Sequence, residues 1–178
     1  MEVNRMGSQY LTLYKMIVLY MLSRGGGQLS KSQIYDFILE KEYTTFLTLQ
    51  EVFSELSDSN LIEETTMGNR TYLKLTAEGT QTLEYFQDRI NTAIISEIND
   101  FFKKNGMRIR NEMSIMADYN KTGEGEYTAH LIARENNAVL VDIQIPTWSE
   151  ESAQAICDNW KEKNQQVYSY LINELMTD

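Results

Sequence analysis

His130 and Cys157 are the only imidazole and the only thiol among the 178 residues. Nucleophilic catalysis of the Ser-His-Asp or Cys-His kind would therefore have to run through His130, and no GxSxG, GxGxxG or P-loop spacing accompanies it. One imidazole beside one carboxylate has no nucleophile, oxyanion site or metal set, so His130 reads as a structural or solvated residue and the chain as no enzyme. One His and one Cys also leave no soft ligand set for zinc, so neither metal nor cofactor is expected. Cys157 has no internal disulfide partner, which fits a reducing, cytoplasmic setting. The remaining chemistry is that of hydroxyls, amides and cations. Thr44, Thr45, Thr48 and Gln50 can hydrogen-bond base edges, Gln being suited to adenine, and Arg70 and Lys74 can hold phosphates.

The elements around these residues form a pattern. Residues 10–24 are apolar on two helical faces, one of Leu11, Tyr14, Ile17, Val18, Met21 and Leu22, the other of Leu13, Met16, Leu19 and Tyr20. Such a helix is either wholly internal or covered by a second subunit, with Leu13, Met16, Leu19 and Tyr20 as the dimer face. Three glycines at 25–27 end it, and Ser30 caps a second helix reaching Glu42. A third helix is expected from a Thr48-x-x-Glu51 capping box to Ser59, with a start as early as Thr44 also open. Residues 61–66 and 70–75 flank a Gly-Asn turn as a hairpin, and Thr76 caps a further helix in which Gly79 lowers helix propensity. This order is that of a winged helix-turn-helix over residues 1–90.

Leu56-Ser57-Asp58-Ser59-Asn60-Leu61-Ile62-Glu63 resembles the end of a winged-helix recognition helix. Tyr72-Leu73-Lys74-Leu75-Thr76-Ala77-Glu78-Gly79 is similar to the wing exit of PadR-like and MarR-like regulators. The whole chain is similar to a bacterial domain-of-unknown-function family that joins such a winged helix to a small α+β domain. The resemblance implies that fold and a regulatory role.

Residues 91–178 read as a linker helix followed by a three-stranded antiparallel sheet under a long C-terminal helix, which makes the chain α+β. The linker is expected to stop at Asn105-Gly106, where the period switches to the alternation of a strand over residues 107–119. Two further strands follow, and matching inward residues predicts Tyr119 opposite Tyr127, Met116 opposite His130, Glu112 opposite Arg134, Ile132 opposite Leu140, and His130 opposite Asp142. The outward face, with Met116, Ile132 and Leu140, is expected to be covered. Pro146 ends the third strand, Thr147 and Glu150 form a capping box, and Ala153, Ile156, Cys157, Trp160, Val167, Leu171 and Leu175 stripe the last helix.

Charge limits what the chain can bind. With 16 Lys and Arg against 26 Asp and Glu, the net charge is -10, so any grip on nucleic acid is local. Glu51, Glu55 and Asp58 sit on or near the third helix's exposed side, while Lys31, Lys41, Arg70 and Lys74 are the nearby cations. A homodimer would double the phosphate contacts, and the expected partner is double-stranded DNA. The alternative is a protein-interaction module that uses the winged helix as a scaffold. No apolar run is long enough for a membrane span, and operator and effector leave no signature.

Overall fold

The computed structural model describes residues 2–67, 69–135 and 138–176, with side chains from Tyr10 onward. It is α+β, with six α-helices and two three-stranded antiparallel sheets among the described residues. Two compact units divide the chain, residues 1–66 with 70–109, and residues 67–69 with 110–178. The boundary thus falls inside a helix, later than the break at 90/91 read from the sequence.

The first unit runs α1 (Glu2–Arg24), β1 (Gln28–Ser30), α2 (Lys31–Glu40), α3 (Phe46–Asp58), β2 (Ile62–Met67), β3 (Arg70–Leu75), α4 (Ala77–Phe86) and most of α5 (Thr92–Ser114). Its sheet has the order β1-β3-β2. Helices α1, α2 and α3 all end the same way. After α1, Gly27 N donates to Leu22 O at 2.8 Å across Gly26, which has φ 85°. After α2, Tyr43 N reaches Ile38 O at 3.1 Å across Glu42, φ 54°, and after α3, Leu61 N reaches Leu56 O at 2.9 Å across Asn60, φ 56°. These are Schellman ends, in which a left-handed residue lets the next N–H satisfy an orphan carbonyl. The Leu56-to-Leu61 motif is this device.

Helix α1 is internal along its middle. Met16, Ile17, Val18, Leu19, Met21 and Leu22 are all buried, because α1 packs against α3, α4 and β3 within the unit. Of the four residues expected at a dimer face, Met16 and Leu19 are therefore covered by their own chain, and Leu13 and Tyr20 stay half-buried. Ser30 caps α2 in a full capping box with Gln33.

Helix α5 corrects the sequence reading. Asn105-Gly106 does not stop it, and residues 107–114 are helical rather than extended. Asn105 turns its side-chain amide to Phe101 O at 3.0 Å, and Ile94, Ile98 and Ile109 are buried. Burial of Ile109 outweighs a weak pair of helix formers.

In the second unit, β4 (Ile115–Gly123), β5 (Glu126–Glu135) and β6 (Ala138–Thr147) form a sheet in chain order, and α6 (Glu150–Met176) covers one face. Ala129, Leu131, Ala133 and Val141 meet Cys157 and Trp160 in the core. Trp160 Nε1 donates to Ile132 O at 3.2 Å, so the indole is buried without an unpaired N–H. The register differs by two from the expected one. Tyr119 pairs with Ala129, Met116 with Ile132, Ile132 with Asp142 and His130 with Gln144, while Glu112 lies in α5. The ladders are irregular between Lys121 and Gly123 and between Ala133 and Arg134. From Ala129 to Ala133 the even shift leaves each side chain on its face, so His130 Nε2 still lies 2.7 Å from Asp142 Oδ1, diagonally, while Val139, paired with Arg134 beyond the irregularity, is exposed. On that face Met116 and Ile132 are buried and Leu140 is exposed. Ser149, not Thr147, caps α6.

Candidate nucleic-acid interface

Helix α3 has two distinct sides. Leu49, Val52, Phe53 and Leu56 are buried. The opposite side exposes Phe46 at 50% and Leu47 at 79%, with Gln50, Glu51, Ser54 and Asp58. Its N-cap is Thr45, whose hydroxyl accepts from Thr48 N at 3.3 Å and lies 3.0 Å from the Thr48 hydroxyl. The expected Thr48-Glu51 box is therefore displaced by one turn. Both threonines fit a cap by type, and Thr45 is the one in extended backbone, φ -88° and ψ 161°.

Gln50 Nε2 donates to the Tyr35 hydroxyl at 2.6 Å. Tyr35 stacks on Phe46 with ring centroids 5.0 Å apart and meets Phe53 edge-on at 5.7 Å. Burial, aided by the Glu64 carboxylate, raises the Tyr35 pKa, so its hydroxyl stays protonated. This tyrosine fixes Gln50 from α2, and sequence reading overlooked it. The signal was present in Phe46 and Leu47, two apolar residues outside the buried stripe.

Of the six residues expected to face DNA, Thr45, Gln50, Arg70 and Lys74 are exposed, and Thr44 and Thr48 are half-buried. The structure joins Thr45 to Thr48 directly and Gln50 to Tyr35. Arg70 and Lys74 lie on β3.

Most cations near this surface are already paired. Lys31 Nζ lies 2.9 Å from Glu64 and 5.3 Å from the Phe53 ring centroid. Lys41 is 3.2 Å from Glu97, Lys74 is 3.9 Å from Glu63, and Lys15 pairs with Glu55. Helix α3 itself has no Lys or Arg. Arg70 has no ion pair among the described residues. The surface thus offers hydrogen-bonding groups and apolar contact with little free positive charge.

The model of one protein family, a domain of unknown function (DUF4364), matches residues 14–175. The chain belongs to this DUF4364 family. The match spans both units, so the family comprises the α3 surface and the α6-covered sheet together. No curated protein and no solved structure matches the chain. Among the described residues, no group of three or more His, Cys, Asp or Glu is placed to hold a metal ion, and no helix is long and apolar enough to cross a membrane.

Proposed function

We propose that the first unit is a winged helix that binds duplex DNA, and that the chain is a transcriptional regulator working as a homodimer. One observation carries this reading. Helix α3 is anchored by Leu49, Val52, Phe53 and Leu56 while Thr45, Gln50 and Ser54 are exposed, and the β2–β3 hairpin that bears Arg70 follows it in the chain. A helix held in this way can enter a major groove with its N-terminal residues at base edges, and the hairpin can touch the backbone beside it. Gln50 would exchange its bond with Tyr35 for a bidentate bond to adenine, and Leu47 would meet a thymine methyl. Leu13 and Tyr20 would contribute to pairing of the two copies.

Selection from a pool of random duplexes tests the reading. The full chain should enrich a two-fold symmetric site, and Gln50→Ala should relax the preference at one position per half-site, by about 1–3 kcal/mol for a good bidentate contact. A pool left unenriched at low salt would refute it.

A second reading is favoured by Phe46 and Leu47, which expose apolar surface beside Glu51 and Asp58. That combination suits a protein partner with a basic rim. Loss of such a partner on Leu47→Ser, in a chain that ignores DNA, would support it.

A further inference from the structure

The winged-helix reading leaves a deficit, since α3 carries no cation and the lysines around it are neutralised. The positive charge is concentrated elsewhere, on α5. Residues 101–111 of α5, Phe-Phe-Lys-Lys-Asn-Gly-Met-Arg-Ile-Arg-Asn, hold four cations and no carboxylate in a chain of net charge -10. It is the densest cationic run in the sequence. Because α5 continues as a helix through this stretch, its inner side is set by Ile98, Phe101 and Ile109, with Phe101 against Phe37 at 5.2 Å. Lys103, Lys104 and Met107 are exposed on the other side, and Arg108 is exposed at the edge nearest α2. Among the described residues no carboxylate is in ion-pair reach of Lys103 or Lys104, although Asp100 stands one turn earlier.

This run is also placed beside the α2–α3 corner. Arg108 lies 3.9 Å from Asp36 of α2, and the neighbouring residue, Tyr35, is the one that holds Gln50 of α3. Further along, α5 is tied to the end of α2 through Glu97, which accepts from Tyr43 at 2.7 Å and pairs with Lys41.

We infer that Lys103 and Lys104 form the phosphate-gripping surface of this protein and hold the backbone of the same duplex that α3 reads, while Arg108 ties α5 to Asp36 of α2. The inference rests on the DNA-binding reading. Charge complementarity identifies the occupant. In an acidic protein, attraction over distances beyond a Debye length of about 10 Å at 0.1 M salt is screened, so local cations decide where phosphates can dock.

The test is a salt series of binding between the full chain and a labelled duplex, for the wild type, K103Q/K104Q and Q50A. Thermal melts establish that each variant is folded. Two lost phosphate contacts per protomer should reduce the slope of log K against log salt by about 1.8 per protomer. Base preference should be unchanged in K103Q/K104Q, and the slope unchanged in Q50A. Wild-type binding with an undiminished slope in K103Q/K104Q would overturn the inference and leave the DNA reading standing. A reduced slope in K103Q/K104Q with no change of preference in Q50A would sustain the α5 surface and remove the role of α3. Binding to polyglutamate but not to DNA would overturn both, and point to an acidic protein partner.

Discussion

Replacing Gly79 by alanine should destabilise the first unit, against the usual rule that alanine favours a helix. Gly79 lies in the first turn of α4, where its N–H donates to the Thr76 hydroxyl at 2.9 Å. An added Cβ would sit 2.1 Å from Leu61 O and 2.9 Å from Leu75 Cδ1. The Leu61 carbonyl is not free to retreat, because it accepts from Thr76 N at 3.2 Å and shares the Thr76 hydroxyl proton, 3.0 Å away, with Asn60 O at 2.8 Å. Relieving the clash means breaking one or both bonds, at about 1 kcal/mol each, or tolerating overpacking at roughly 1–3 kcal/mol. Alanine's higher helix propensity returns only about 1 kcal/mol. At a 2.1 Å approach the upper end of each cost applies, so the net loss is about 1–2 kcal/mol, and each kcal/mol lowers Tm by roughly 4–8 °C in a domain of about this size. Thermal and urea unfolding followed by circular dichroism would measure it. A Tm equal to or above that of the wild type would refute the close approach of α4 to the Leu56–Leu61 turn, and with it this explanation of the Thr-x-x-Gly motif.

Gly106→Ala should do the opposite. Nothing lies within 4 Å of its added Cβ, so the change should stabilise by about 0.5–1 kcal/mol if α5 is continuous, and a loss of urea midpoint would restore the helix stop read from the sequence. Glu42→Gly relieves a left-handed residue with a Cβ and should raise stability by up to about 1 kcal/mol, again by urea titration. The Tyr43–Glu97 pair predicts a pH window. Burial and the hydrogen bond to Glu97 raise the Tyr43 pKa above its ordinary 10.0, so its contribution is full below pH 10.0 and is lost as pH rises through the higher folded value. The bond from Tyr43 and that from Lys41 lower the Glu97 pKa below 4.5, so its contribution is full above 4.5 and fades as pH falls through the lower folded value. Tyr43→Phe should flatten both flanks of the stability–pH curve, and an unchanged curve would dismiss the pair. Cys157 is buried in the α6 core with its pKa raised, chiefly by burial. A thiol reagent should therefore label it only when the chain is unfolded, and rapid labelling of the native protein would contradict the packing of α6.

Features governed by neighbours in sequence were legible. The Ser30 cap, the glycines after α1, the Leu56–Leu61 stop and the inward set of the second sheet all follow from local periodicity and turn chemistry. Features decided by distant partners were not. Strand β1 exists because Gln28, Leu29 and Ser30 pair with Lys74, Leu73 and Tyr72, and three residues alone carry no strand signal. In α5, residues 107–113 alternate well enough for a strand, and only the burial of Ile109 decides for a helix. That misreading placed Arg108 and Arg110 on the polar side of a strand and hid the cationic run. Around α3, the residue types were readable, but Lys31–Glu64 and Lys41–Glu97 bring together charges far apart in sequence. They show as free cations until the fold is known.

In the proposed complex the outward side of α3 faces the duplex. Backbone amide hydrogen exchange of the full chain, with and without a saturating duplex recovered from selection, examines that contact directly. Slower exchange confined to residues 46–54, the β3 strand and the outer turns of α5 is the predicted result. Unaltered exchange over residues 46–54 while the duplex remains bound would contradict it.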